Sequence, residues 1–135
     1  MRVVIDTNVL VSGLLSPFSN CGEIVRMLAS GSLEVAFDAR IMSEYVEVLA
    51  RPKFNFDPVS VDTLLSFVES NGIAVSGVPL PRPLPDPFDE AFLEVAIAAD
   101  AEVLVSGNIK HFPPRLRQGV CILVPARFVE FYRKR

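Results

Sequence analysis

The sequence contains too few histidines and cysteines for several common kinds of catalytic and metal site. Its 135 residues include one histidine, His111, two cysteines, Cys21 and Cys121, and no tryptophan. This set is too small for a zinc cage, and so little histidine argues against a serine or cysteine catalytic triad. We expect two reduced, mostly buried thiols, as in a cytoplasmic protein.

Long apolar runs and glycine-rich phosphate loops are also missing. No stretch reaches the roughly 20 apolar residues that cross a bilayer. Because Asp6 interrupts the first apolar run, we expect no signal peptide either. The net charge of −3 and the pI of about 5.1 are not typical of a nucleic-acid binder, but they fit acids concentrated at a cation site. Overall charge therefore leaves both functions open.

Short β-branched segments alternate with helical patterns along the chain, and half of the residues are hydrophobic. We predict strands at 3–5, 33–37, 73–75, 103–105 and 120–124. We predict helices at about 9–15, 22–29, from the Asp38 cap to 50, 59–70, 87–101 and from 125 onward. This alternation predicts a single α/β domain over residues 1–135, with a parallel sheet covered on both faces. Alternating prolines from 79 to 87 predict a stiff extended loop.

Polar residues follow two of the predicted strands. Asp6 comes directly after the run Val3–Ile5, and a charge beside the core is costly unless it is paired or bound to a cation. The alternative is that Asp6 caps the next helix, and the local pattern favours neither interpretation. Ser106 and Asn108 follow strand 103–105, and working groups gather at the carboxyl ends of parallel strands.

Helical periodicity distinguishes Glu44 from Glu47. At about 100° per residue, Glu44 falls about 40° outside the apolar stripe of its helix, whereas Glu47 falls about 100° outside it. We therefore expect Glu44 to reach a cleft and Glu47 to point to water. The alternative for Glu44 is an ordinary acid flanking the apolar stripe.

The cluster Asp86–Glu90 contains a third candidate acid. Asp89 lies on the same helix face as Phe92, so we expect it to point inward, although a helix-dipole role is the alternative. Asp86 precedes a proline and is typical of a helix cap, and Glu90 is expected to be solvated. Asp6, Glu44 and Asp89 together suit Mg²⁺ or Mn²⁺, which prefer oxygen ligands and assist phosphodiester cleavage.

Four ordered segments resemble PIN-domain nucleases. They are Met1–Ser12, reading Met-Arg-Val-Val-Ile-Asp-Thr-Asn-Val-Leu-Val-Ser, then Glu44–Phe54, Asp86–Ala96 and Val103–Phe112. The resemblance is closest to VapC-like proteins, described as toxin components of toxin–antitoxin pairs. It implies a three-layer α/β/α sandwich with a five-stranded parallel sheet and Mg²⁺- or Mn²⁺-dependent cleavage of RNA. Carried over by position, it makes Asp6, Glu44 and Asp89 the catalytic metal ligands, with Asn8 and Ser106 as supporting groups.

The resemblance also implies partners and one departure. We expect an RNA substrate, a cognate antitoxin protein, a cytoplasmic homo-oligomer and no membrane association. The family often has a fourth aspartate where this chain has Asn108, which predicts a weaker second metal site. Lys110 is expected near the strand ends as a substrate contact. Other candidate cations for RNA are Arg40, Arg51, Lys53, Arg82, Arg115 and Arg117.

Two alternatives from other functional classes stay open. A non-catalytic binding module would keep the fold without turnover, and Asn108 is its best support. An aspartate-nucleophile phosphatase would use Asp6, but such enzymes usually need a second aspartate two residues later, where this chain has Asn8.

Overall fold

A five-stranded parallel sheet with β1 at its centre organises the chain. The structure is a computed structural model that describes all 135 residues. The strands are β1 (Arg2–Ile5), β2 (Glu34–Phe37), β3 (Ile73–Ala74), β4 (Val103–Val105) and β5 (Ile122–Leu123). Their order is β3-β2-β1-β4-β5, and every pairing is parallel. The predicted α/β fold with five parallel strands is therefore confirmed.

Six α-helices cover the sheet and complete an α/β/α arrangement. They are α1 (Thr7–Leu15), α2 (Asn20–Ala29), α3 (Ala39–Leu49), α4 (Pro58–Asn71), α5 (Glu90–Ala98) and α6 (Pro125–Arg133). The predicted helix 87–101 is shorter, because a single 3₁₀ turn, Pro87–Asp89, precedes α5. None of these helices is long and apolar enough to span a membrane.

Local capping signals explain where the helices begin and end. The Asp38 carboxylate accepts a hydrogen bond from the Ile41 amide at 2.9 Å, as the sequence predicted for the start of α3. Asp57 caps α4 in the same way, with Pro58 in the first helical position. Gly31 follows the end of α2 with a φ of 81°, a left-handed conformation that glycine adopts without strain.

The core forms one cluster of 32 buried hydrophobic residues around the two central strands. The side chains of β4 and of residues 3–5 in β1 are almost completely buried, which explains why both strands contain continuous apolar runs. Neither cysteine is in a disulfide, as expected, but Cys121 is exposed and Cys21 only half-buried. The expectation of mostly buried thiols is therefore wrong for Cys121.

The strand order creates a crevice beside β1. The chain pairs β1 with β2 on one side and with β4 on the other. The strand order thus runs outward from β1 in one direction to β3 and in the other to β5. In open parallel sheets, such a change of direction leaves a cleft at the carboxyl ends of the two strands where it occurs, here β1 and β4. Asp6 and Ser106, which follow β1 and β4, therefore meet at the edge where such a cleft opens.

Tyr45 fastens α3 to this edge. Its side chain is fully buried, and its hydroxyl donates a hydrogen bond to the carbonyl oxygen of Ile5. Burial raises the pKa of the phenol well above its usual range, so the hydroxyl stays a donor. The pairing of β1 with β2 includes Arg2–Glu34 and Val3–Val35, so the Ile5 carbonyl lies beyond it. The Tyr45 hydroxyl gives this buried carbonyl a hydrogen-bond partner.

We predict that Tyr45→Phe lowers the free energy of unfolding by about 1–3 kcal/mol, because the buried Ile5 carbonyl loses its partner. Urea unfolding followed by circular dichroism measures this change. Tyr132→Phe on α6, where the ring is half-buried, is the matched control and should change stability little. Equal denaturation midpoints for Tyr45→Phe and the unmodified chain would contradict the assignment.

Candidate functional site

A pocket of about 230 Å³ opens at the carboxyl ends of β1 and β4. Its walls come from the end of β1, from α3, from the 3₁₀ turn before α5 and from the segment after β4. The lining residues are Asp6, Thr7, Asn8, Glu44, Val48, Arg51, Asp86, Phe88, Asp89, Phe92, Asn108 and His111. A larger groove of about 400 Å³ lies between α3 and α4, but it contains none of the predicted catalytic residues.

Asp6 is a buried carboxylate tied to the neighbouring strand. Its amide donates to the carbonyl of Val105 at 2.9 Å, and its Oδ2 accepts a hydrogen bond from the Ser106 hydroxyl at 2.7 Å. Burial raises the pKa of Asp6, although the Ser106 hydroxyl and the nearby amides of Asn8 and Thr7 act against the shift. Those amides do not reach the geometry of a capping hydrogen bond, so Asp6 does not cap α1 through its side chain.

Glu44 reaches the same pocket from α3. It is half-buried, and its Oε2 accepts a hydrogen bond from the hydroxyl of Thr7, which directly follows Asp6. Glu47, one turn later, is exposed and pairs with Arg51 at 2.9 Å. The structure thus places Glu44 in the pocket and Glu47 in solvent, as the helical periodicity predicted.

Asp86, Asp89 and His111 form the tightest group of potential metal ligands. One ligand atom from each lies within 4.8 Å of the other two. The Oδ2 of Asp89 and the Nδ1 of His111 are 2.9 Å apart, but they are not aligned for a hydrogen bond. Both atoms are buried and lack another partner, which is an unfavourable state for polar groups. A cation bound among these oxygens would relieve it.

The surroundings of Asp89 oppose its ionisation. Burial raises the pKa of this carboxyl to about 6, and the charges of Asp6 and Asp86 add to the shift, whereas His111 acts against it. Asp86 also accepts a hydrogen bond from the Phe88 amide at 3.0 Å, so its predicted capping role is confirmed. Asp86 therefore caps the 3₁₀ turn and faces the pocket as well.

The compact group differs from the trio that the sequence suggested. Asp6, Glu44 and Asp89 all line the pocket, but only Asp89 belongs to the group within 4.8 Å. Sequence reasoning missed His111, because a lone histidine was considered too little for a catalytic role. One signal was available: His111 comes three residues after Asn108, and a 3₁₀ turn over Ile109–His111 brings it back to the same edge.

The predicted supporting residues take different positions around the pocket. Asn8 and Asn108 are exposed and line the pocket, whereas Ser106 is buried behind it and holds Asp6. The Asn108 amide donates to the Ser106 Oγ at 3.1 Å, which fixes the chain after β4. Lys110 is exposed in the same segment after β4, between the pocket residues Asn108 and His111, but it is not itself part of the lining, so its role as a substrate contact stays a prediction. The 3₁₀ turn brings His111 into the lining.

Two other charged residues have protein partners that the sequence did not predict. Arg40, a candidate cation for RNA, is paired with Asp38 at 2.7 Å and with the buried Glu94 at 2.8 Å. Glu90 is half-buried, and its Oε2 accepts a hydrogen bond from the Leu84 amide at 2.9 Å, which anchors the proline-rich loop. Glu90 is therefore only partly solvated, and it does not line the pocket.

The pocket carries an excess of negative charge. Four carboxylates line it, from Asp6, Glu44, Asp86 and Asp89, and the only lining arginine, Arg51, is paired with Glu47. Such a field repels a phosphodiester unless a bound cation reverses it locally. Oxygen-rich surroundings of this kind match the ligand preference of Mg²⁺ and Mn²⁺.

Comparison with known proteins places this geometry in a family. A family model described as "PIN domain" matches residues 2–110. Among solved structures, the chain is similar in fold to one in the crystal structure of VapBC2 from Rickettsia felis bound to a DNA fragment from their promoter. That match has a TM-score of 0.59 and 16% identity, and it covers 92% of this chain and 98% of the other. No curated protein matches the sequence. Since the family model spans most of its length, the chain belongs to the PIN-domain family.

Proposed function

We propose that this chain is a divalent-cation-dependent endoribonuclease that hydrolyses RNA phosphodiester bonds. One observation carries the proposal: carboxylates from three separate elements converge on one pocket at the edge of the sheet. The buried Oδ2 of Asp89 and Nδ1 of His111, which face each other at 2.9 Å without an aligned hydrogen bond, support a cation there. Membership of the PIN-domain family supports nuclease chemistry.

The residues in the pocket fit Mg²⁺ or Mn²⁺. Asp6, Glu44 and Asp89 would hold the cation, with Asp86 and His111 beside Asp89. When bound, the cation supplies Lewis-acid stabilisation of the charge that develops on the phosphate. These carboxylates alone would repel the substrate, so the function of the site depends on the cation.

The surrounding residues orient the acids and the substrate. Ser106 holds Asp6, and Thr7 holds Glu44, so both carboxylates keep a fixed direction toward the pocket. The amide side chains of Asn8 and Asn108 are exposed at its rim, where they can hydrogen-bond phosphate or ribose oxygens. A fixed carboxylate constellation lowers the reorganisation needed during cleavage.

We further propose that the nuclease is the toxin of a toxin–antitoxin pair. The similar solved structure is a VapBC2 complex, and it covers almost the whole of both chains. On this proposal, a small antitoxin protein binds the nuclease, which acts on RNA in the cytoplasm as a homo-oligomer. Copurification of the product of the adjacent gene, followed by loss of RNA cleavage in the complex, tests the partnership.

Glu44→Gln and Glu47→Gln are a matched pair one turn apart on α3. We predict that Glu44→Gln lowers the rate of single-stranded RNA cleavage by more than about 100-fold, because the cation loses a charged ligand. Glu47→Gln should change it by less than about twofold, since an exposed pair contributes little. Asp6→Asn and Asp89→Asn should be as inactive as Glu44→Gln. Initial rates with Mn²⁺ and with EDTA, and circular dichroism for folding, measure these effects.

Two results would contradict the assignment. Equal loss of activity in Glu44→Gln and Glu47→Gln would show that the pocket does not distinguish the two acids. Absence of cleavage by the unmodified chain with either Mg²⁺ or Mn²⁺ would favour a non-catalytic binding module.

The pKa of Asp89 predicts proton release on cation binding. At pH 6 about half of the Asp89 carboxyls carry a proton, since the pKa is about 6, and the cation must displace it. The affinity for Mn²⁺ should therefore fall as the pH drops from 7 to 5. Calorimetry in two buffers of different ionisation enthalpy measures the released protons. Asp89→Asn should lose this release, and an unchanged proton count in that variant would refute the prediction.

Position 108 offers a gain-of-function test. We predict that Asn108→Asp tightens Mn²⁺ binding roughly tenfold, because it adds a negative charge at the pocket rim. Isothermal calorimetry at pH 7.5 measures the dissociation constant. Asn71→Asp, at the exposed end of α4, is the matched control for the added charge. Equal affinities in both variants would show that position 108 does not face the cation.

A further inference from the structure

Phe88 is an exposed aromatic residue at the rim of the acidic pocket. Its side chain is 80% exposed, whereas Phe92, one helical turn later, is buried. The ring borders the pocket that contains Asp6 and Asp89, and also an adjoining pocket that contains Arg40 and Glu44. An apolar ring in this position loses unfavourable contact with water when a ligand covers it.

The backbone that carries Phe88 is held firmly. Pro87 precedes it with a restricted φ, and the Phe88 amide donates to the Asp86 carboxylate at 3.0 Å. Its Cα lies about 3.8 Å from that of Asp89, as in any pair joined by a trans peptide. The ring is therefore mounted next to the acids that face the phosphodiester in the proposed reaction.

We propose that Phe88 is the platform on which one unpaired nucleobase of the substrate stacks while its neighbouring phosphodiester lies over the acidic pocket. This inference rests on the proposed nuclease function. A nucleotide carries its base within a few ångströms of its phosphate, so a phosphate near Asp89 brings a base within reach of the ring. Because every base has a π face, the platform tolerates different bases, but it requires the strand to be unpaired there.

The surroundings favour a nucleobase over an apolar protein side chain. On one side the ring borders the carboxylates of Asp86, Asp89 and Glu44, and on the other the adjoining pocket presents charged Arg40 beside apolar Ile41 and Ala91, so polar and apolar groups alternate around it. A flat base with polar edges can stack on the ring and still keep those edges hydrated or hydrogen-bonded. Contact of Phe88 with a protein partner is the competing outcome that the experiments separate.

A fluorescence experiment uses the absence of tryptophan from the chain. Phe88→Trp introduces a single tryptophan at the platform, and Phe18→Trp provides the control. Phe18 is 99% exposed and follows α1, which runs nine residues, about 13 Å, away from Asp6. Both variants keep every acid of the pocket and are mixed with a single-stranded RNA decamer and Mn²⁺ in a stopped-flow fluorimeter, so that quenching is recorded before cleavage.

We expect the decamer to quench the tryptophan of Phe88→Trp and to leave that of Phe18→Trp unchanged. An abasic strand of the same length, or the decamer paired in a duplex, should quench little, because neither offers a free base. Equal quenching by the abasic strand, or none by the decamer, would overturn the proposal. This measurement does not depend on turnover, so it is distinct from the failure of the unmodified chain to cleave RNA.

Steady-state kinetics gives a second readout with the otherwise unmodified chain. Phe88→Ala should raise KM for the decamer by about 5- to 150-fold with a much smaller change in kcat, while Phe88→Tyr should restore KM. A merely structural role would not produce rescue by a second aromatic residue together with base-dependent quenching. An unchanged KM in Phe88→Ala would refute the proposal that a base stacks on Phe88. If this variant kept its KM but bound an antitoxin more weakly, the ring would instead be part of a protein interface.

Discussion

The hydrogen bond from Ser106 to Asp6 is the contact on which the site depends. It joins residues 100 positions apart at the carboxyl ends of the two central strands, and it supports a carboxylate that is otherwise removed from water. Burying such a group is favourable only when its charge is compensated or it keeps its proton. The position of β1 beside β4 therefore determines both where the pocket opens and why its first acid has a raised pKa.

The carboxylates in the pocket repel one another, and favourable interactions elsewhere in the fold must offset that repulsion. Asp89 is surrounded by Asp6 and Asp86, and its buried oxygen faces an imidazole nitrogen without a hydrogen bond. Groups arranged in this way destabilise a protein when no cation is bound, and a cation that fits among them recovers that free energy on binding. The large hydrophobic core around β1 and β4 provides the rigidity that keeps these acids together. If the proposed cation binds, stability and cation affinity therefore act against each other at this edge.

Sequence periodicity was informative about side chains whose direction follows from their own element. It placed Glu44 toward the pocket and Glu47 in solvent. Capping patterns in the same way identified Asp38 and Asp86 as caps. Periodicity gives no information about which distant acid a charged side chain will pair with. Arg40 illustrates this limit, because its partner Glu94 lies on the distant helix α5.

The sequence by itself determined the order of strands and helices, the parallel sheet and the three acids that could meet a cation. These features follow from local chemistry: alternation, helical faces and capping. Only the tertiary structure decided that Asp86 and His111 form the compact group with Asp89, while Asp6 and Glu44 line the pocket beyond it. The physical reason is that a local pattern fixes the direction of a side chain relative to its own backbone. Distances between groups from different elements depend on how those elements pack.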